Sequence, residues 1–465
     1  MGCKRRADLG ESLRSEALQI STGTHTTVAA APADEARPWA RAICWLLFLT
    51  PFFYLSYGAA NEIAASRLDV PSIVFDWERQ IPFLAWTIVP YWSINAFYGL
   101  SLLVCSTRAE LDVHARRLVT AQIGAVVCFV LFPLKFTFRQ PETTGLPGFL
   151  FDALTSFDKP FNQAPSLHIA LLVILWKLYA RHLPRAARWP LHLWFALVGA
   201  SVLTTYQHHF FDIPTGALLG AFCLWLWPDH GKSPFATFAL TTERRRLVLA
   251  ARYLVGAALL AVTAVWAGGA GLWLLWPALS LGLVAANYAV FGPEGFQKDA
   301  AGGMSLGARL LLAPYLAGAF VNSRSWTRHE PAPVAVSGDV WLGRIPRPGE
   351  ASRFPTVIDL CAELPGGRNA GDWMCIPMLD LVPPQPAKLR EAAASIERGR
   401  ANGAVLVCCA LGYSRSAATV ATWLLASNGH ATVAQAIGTV REARPRIVID
   451  GAMRHAIASA AEVDA

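Results

Sequence analysis

Cys409 and Arg415 stand with five residues between them in the run Cys409-Ala-Leu-Gly-Tyr-Ser-Arg415-Ser416, between the apolar strand pattern AVLVC and the apolar helical stretch SAATVATWLLA. A cysteine and an arginine so spaced at a strand-to-helix turn suit a phosphate cradle. Backbone N–H groups, that of Gly412 among them, and the helix N-terminus can receive phosphoryl oxygens. The guanidinium of Arg415 can grip two oxygens side by side. The same positive environment favours the thiolate that a cysteine nucleophile needs, and the Ser416 hydroxyl can hydrogen-bond that thiolate as it leaves. The bland alternative makes Cys409 a buried strand cysteine and Arg415 a solubilising residue at a helix start; strand, loop, helix and spacing together favour the cradle.

A second set of residues interrupts the apolar N-terminal two thirds. Lys135 and Arg139 lie in KFTFRQPE, Ser166 and His168 in Pro165-Ser166-Leu167-His168, and His208 precedes Asp212 by four residues in QHHFFDIPTG. Two imidazoles, a carboxylate and two cations suit phosphoryl transfer. One imidazole can attack phosphorus, the carboxylate can fix its tautomer, the other imidazole can protonate the leaving oxygen, and the cations can stabilise the equatorial oxygens. Rival readings are interfacial histidines at helix ends, hydrogen-bonded to headgroups or backbone, and a metal site of His208, His209 and Asp212. Adjacent histidines on a helix point about 100° apart, which weighs against the metal.

The elements that must position these groups follow from composition. Of 465 residues, 54% are hydrophobic and only 15% charged, with 17 Trp and a mean hydropathy of +0.37. That is too apolar for a set of water-exposed globules and places most of the chain in a membrane. The net charge of +8 comes from arginines at the ends of apolar stretches, where they set topology, so no nucleic-acid partner is expected. The nine cysteines do not read as a disulfide framework.

Residues 1–37 read as a disordered basic tail. Eight stretches are apolar enough to span: 42–61, 83–105, 117–134, 166–181, 189–206, 212–227, 247–267 and 271–291. Their flanking arginines predict both termini on the cytoplasmic face and the histidine clusters together on the other. Residues 304–321, interrupted by Arg309 and Pro314, read as a helix lying in the interface. From about 330 a soluble α/β pattern takes over. The expected organisation is therefore the tail, a membrane domain at 38–230, a linker of two extra spans and the interfacial helix at 231–329, and a soluble domain at 330–465.

The Cys409–Ser416 run resembles the active-site loop of the dual-specificity branch of the protein tyrosine phosphatase family, with Cys408 where that family usually has His. The adjacent thiols would allow a reversible vicinal contact on oxidation. The resemblance implies a cysteine phosphatase fold and a general acid on a movable upstream loop, where IPMLDLVPP offers Asp380; a loop-capping role is its rival. VIDLCAELP (357–365) and Arg444-Pro445 extend the likeness.

The histidine clusters resemble the type 2 phosphatidic acid phosphatase superfamily, with its six-span core, and in particular the branch of sphingomyelin and inositol phosphorylceramide synthases. The resemblance implies that His208 is the nucleophile, Asp212 its orienting partner and His168 the general acid, with Lys135, Arg139 and Ser166 holding phosphate. The sequence departs from that pattern in the closer spacing of Lys135 and Arg139, in Leu167 where Gly is usual, and in Val202 where Arg often stands. A chain with both halves resembles bacterial fusions of a membrane lipid phosphatase with a dual-specificity phosphatase. It implies a multi-pass protein of the bacterial cytoplasmic membrane, its C-terminal domain in the cytoplasm, acting on phospholipids or phosphorylated headgroups without metal or cofactor. Headgroup transfer to a lipid alcohol, or a phosphoprotein substrate for the soluble domain, are the alternatives.

Overall fold

Long charge-poor segments must satisfy their backbone polar groups internally, and they do so here as helices. The computed structural model describes residues 36–367, 371–427 and 432–462; the tail expected at 1–37 lies outside them but for its last two residues. The chain divides into two compact units, Ala33–Ala236 with Val262–Leu274, and Thr237–Ala261 with everything from Leu275 on.

The first unit is helical: α1 (Trp39–Ala65), α2 (Ile88–Val104), α3 (Arg108–Leu131), α4 (Gly145–Thr155), α5 (Leu167–His182), α6 (Arg185–Thr204) and α7 (Asp212–Leu226). Among the described residues, five segments are long and apolar enough to cross a membrane: Trp39–Ala65, Ala85–Val104, Arg108–Leu131, Arg244–Ala267 and Gly269–Phe296. The other three expected stretches fall on α5, α6 and α7, of which α5 has 16 residues and α7 has 15. On α1, Leu47 and Leu55 are exposed by 70% and 74%, an outward apolar face that suits lipid and not water.

Helices α5 and α7 run side by side with their N-termini together, because two glycines let the backbones meet. A Cβ on Gly216 would stand 2.4 Å from Ser166 O, and one on Gly220 would stand 2.8 Å from Ala170 O. Small residues four apart permit this close approach. The opposite ends are held by charge. Arg117 of α3 reaches Asp229 (2.7 Å), which also takes Lys177 of α5, while Glu110 takes His182 at 2.9 Å.

In the second unit, α8 (Arg244–Ala267) and α9 (Leu275–Ala286) lead through a π turn at Asn287–Phe291 to α10 (Leu306–Leu311) and α11 (Ala313–Trp326). The helix expected at 304–321 is thus two helices. Pro314 lies in the first turn of the second, where its missing N–H costs nothing. A five-stranded sheet follows in the order β1-β2-β5-β3-β4, built from β1 (Val334–Ser337), β2 (Val340–Arg344), β3 (Thr356–Cys361), β4 (Asp372–Met378) and β5 (Val405–Cys409). Only β1 is antiparallel to its neighbour. Around the sheet lie α12 (Pro348–Ala351), α13 (Pro386–Arg400), α14 (Arg415–Ser427), α15 (Val433–Ala443) and α16 (Gly451–Glu462). Strand β5 is central and buried throughout. Its C-terminal end is where ligands bind in sheets of this kind.

Candidate functional site

Strand β5 delivers Cys409 to the loop 410–414, and α14 starts at Arg415. The loop closes tightly at Gly412, whose φ is +78°. A Cβ there would lie 2.5 Å from the carbonyl carbon and oxygen of Gly343, so both conformation and space demand glycine. Gly412 N donates toward Cys409 Sγ at 3.3 Å, and Ser416 Oγ lies 3.2 Å from the same sulfur. Donors of this kind stabilise negative charge on sulfur.

Arg415 is 1% exposed. Its Nη2 and Nη1 donate to Glu363 Oε1 (2.5 Å) and Oε2 (2.8 Å), and Nη1 also donates to Met378 O (2.8 Å). Asp380 Oδ1 lies 3.0 Å from Nη2, while Nε faces no protein acceptor. Two carboxylates on one guanidinium do not ionise alike. Burial opposes ionisation of Glu363, but Arg415, doubly bonded to it, overcomes this and holds its carboxyl below the ordinary range. For Asp380 burial outweighs the attraction of Arg415, and the repulsion from Glu363 adds to burial, so its carboxyl is raised. A carboxyl that keeps its proton suits an acid.

Cys408 and Cys409 do not share a face. Strand alternation sends Cys409 into the main core with Val405 and Val407, and Cys408 to the other side among Phe354, Val357 and Leu406. This geometry removes the expected vicinal contact. Burial also pushes the Cys408 thiol well up, away from thiolate chemistry.

A further residue braces the loop. Arg444 lies over the Tyr413 ring, 4.9 Å from its centroid, and donates to Leu411 O at 3.2 Å. Glu363 and Arg444 both fall inside the stretches that carried the family likeness, but their roles depend on long-range contacts that no spacing displays.

In the helical unit, His208 sits between two partners. Its Nδ1 is 3.2 Å from Asp212 Oδ2, and its Nε2 is 3.1 Å from Ser166 Oγ. Ser166 Oγ also accepts from Ile169 N, as the cap of α5; an ionised Asp212 can only accept, so the neutral ring that meets it through Nδ1 carries its proton there. In that tautomer Nε2 is the ring atom without a proton and accepts from the Ser166 hydroxyl. His168 stacks on Tyr91 with centroids 4.3 Å apart, and its buried Nε2 has no protein partner. His168, His208 and Asp158 line one cavity of about 70 Å³.

The structure thus brings His168, His208, Asp212 and Ser166 together. It does not bring Lys135 and Arg139 to them. The segment after α3 is extended, with Phe136 and Phe138 turned onto His209. Alternation leaves Lys135 and Arg139 exposed, and neither lines the 70 Å³ cavity nor the neighbouring 270 Å³ one, where Lys159 stands instead. His209 points away from His208: its Nδ1 meets Glu78 Oε2 at 3.1 Å and its Nε2 meets Thr137 Oγ1 at 3.1 Å. The three residues of the rival metal site therefore do not converge. Among the described residues no group of three or more His, Cys, Asp or Glu could hold a metal ion.

Residues 350–460 match the family model of the dual-specificity phosphatase catalytic domain. With the cysteine loop at the end of the central strand, this defines the C-terminal part of the chain as a dual-specificity phosphatase domain, a phosphoric monoester hydrolase. Among solved structures, human DUSP28 is similar, with 26% identity over 28% of this chain and 94% of its own, and a TM-score of 0.26. Tk-PTP in its active form is similar with 26% identity over 29% of this chain and 99% of its own, and a TM-score of 0.27. PTPMT1, solved in complex with PI(5)P, is similar with 20% identity over 26% of this chain and 89% of its own, and a TM-score of 0.24. No curated protein matches the chain.

Proposed function

We propose that the chain is a membrane-bound phosphatase with two phosphoryl-transfer sites, acting on phosphomonoesters of phospholipids or their headgroups. The observation that carries the cysteine site is Cys409 Sγ flanked by Gly412 N and Ser416 Oγ, on the same strand-to-helix loop as Arg415, whose guanidinium Glu363 holds. In this reading Cys409 attacks phosphorus as the ester P–O bond breaks, and Asp380 gives its proton to the leaving alkoxide. Water then attacks the phosphocysteine, returns a proton to Asp380, and frees phosphate and thiolate; Arg415 and the loop amides carry the charge throughout. A lipid substrate is supported by the apolar rim. Leu381, next to the acid, is 58% exposed, and Val448, whose N–H donates to Tyr413 O, is 63% exposed.

The second site uses His208 as nucleophile, Asp212 to hold its tautomer and His168 as proton donor, in a helical domain like the type 2 phosphatidic acid phosphatases. The protein would be a multi-pass protein of the bacterial cytoplasmic membrane, with the termini and the cysteine site in the cytoplasm. Lipid mass spectrometry of membranes with and without the protein tests the reading. Accumulation of a lipid phosphomonoester in its absence supports hydrolysis. Loss of a headgroup-bearing product instead would assign transfer to the His208 site.

A further inference from the structure

The linker ahead of the sheet does more than join two parts. Lys298, with no side-chain exposure, places Nζ 2.6 Å from Asp359 Oδ2 and donates to Cys361 O at 2.6 Å, on the strand that leads to Glu363. The Tyr288 hydroxyl, in the π turn after α9, donates to Asp380 O at 3.1 Å. Its ring stacks on Tyr253 of α8 (5.5 Å between centroids), and its carbonyl accepts from Arg246 Nε at 2.9 Å. Ser323 of α11 is 1% exposed and donates to Ala410 O at 2.5 Å, while Trp326 O accepts from the Tyr413 hydroxyl at 3.4 Å. The bonds of Tyr288, Ser323 and Trp326 end on the two loops that follow β4 and β5, at Asp380, Ala410 and Tyr413.

We infer that Tyr288 and Ser323 are positioning residues of the phosphatase, the first fixing the loop of Asp380 and the second the loop of Cys409. The inference rests on the reading of Asp380 as the acid. A π turn is a recurrent device at functional sites because it redirects a helix end without ending the helix. Here it turns Tyr288 toward the carbonyl of the acid residue itself. That single bond sets how the Asp380 carboxyl approaches a leaving oxygen, and Leu381, in the left-handed region at φ +57°, makes the backbone there sensitive to its supports. Ser323 acts one residue beyond the nucleophile, so its loss affects the attack on phosphorus whatever the leaving group.

The test uses the full chain in detergent with an aryl phosphate, which needs little protonation, and an alkyl phosphate, which needs much. Tyr288→Phe removes one hydroxyl and should lower kcat on the alkyl ester roughly ten-fold, a fraction of the 10²–10⁴ a general acid contributes, while changing the aryl ester less than about two-fold. In an Asp380→Asn background the same substitution should add nothing. Ser323→Ala should lower both esters alike, and Ser323→Thr, which keeps the hydroxyl, should restore them. Equal loss on both esters in Tyr288→Phe, or full activity of Tyr288→Phe/Ser323→Ala, would overturn the inference. If Asp380→Asn alone spares the alkyl ester, the assignment of the acid has failed instead, and the inference built on it falls for that separate reason.

Discussion

Glu363 holds Arg415 along two parallel bonds of 2.5 and 2.8 Å, in a setting where neither side chain is more than 5% exposed. The fork-to-fork geometry fixes the plane of the guanidinium before any phosphate arrives. It engages both Nη atoms, while the buried Nε has no protein acceptor.

Removing that partner should be costly. Glu363→Gln leaves a buried cation with less compensation, so the phosphatase domain should lose about 3 kcal/mol, in the range for broken buried pairs, and inorganic phosphate should inhibit more weakly. The sign with pH follows from the lowered Glu363 carboxyl. Its contribution is full above the ordinary carboxylate range, near pH 4.3, and is lost as pH falls through the lower folded value. Melting curves against pH should show that acid-side loss in the wild type and a shallower one in the variant.

Cys409→Ser should abolish aryl phosphate turnover and leave the melting temperature of the domain nearly unchanged, since a hydroxyl fits between Gly412 N and Ser416 Oγ but is a far poorer nucleophile near neutral pH. Residual turnover above one part in about a thousand, against the 10²–10⁴ typical of a single catalytic group, would point to a different nucleophile.

Asp380 carries the opposite sign from Glu363. Its raised carboxyl stays protonated beyond the ordinary range, so turnover of an alkyl phosphate should fall as pH rises through that value. Aryl phosphate turnover should show little of this limb, and Asp380→Asn should remove it. Rate profiles for the two esters measure the difference.

The sequence made Cys409, Gly412, Arg415 and Ser416 legible because they are contiguous and because their strand and helix differ in hydrophobic period. Glu363 was hidden for a different reason: it lies 52 residues from Arg415, and only the parallel pairing of β3 beside β5 brings them together. The histidine set shows the same divide. His208 and Asp212 are neighbours by spacing, whereas the exposure of Lys135 and Arg139 was decided by which face of an extended segment carries Phe136 and Phe138. Tyr288 sits in an apolar stretch and Ser323 just beyond one, both in segments that look like plain connector, so nothing local marked them.

Gly216→Ala probes the helical site through packing alone. The added methyl would meet Ser166 O at 2.4 Å, forcing α5 from α7 and stretching the Ser166–His208 bond. A loss of about 1–3 kcal/mol in detergent melting is expected from overpacking. Activity at His208 should fall with it and that at Cys409 should not.

The two sites should work independently, because their chemistry has different requirements. A thiolate persists in a reducing cytosol, where the arginine distribution is expected to place Cys409; imidazole chemistry has no such need, and His168 and His208 are expected on the other face. His208→Ala should therefore remove lipid phosphatase activity that survives thiol alkylation, leaving aryl phosphate turnover by Cys409 nearly unchanged. Cys409→Ser should do the reverse. Detergent removes sidedness, so a protein in which either substitution silences both activities there has coupled sites. Cysteine labelling that placed residues near 340 outside the cell would separately overturn the expected topology, and with it the assignment of each chemistry to its compartment.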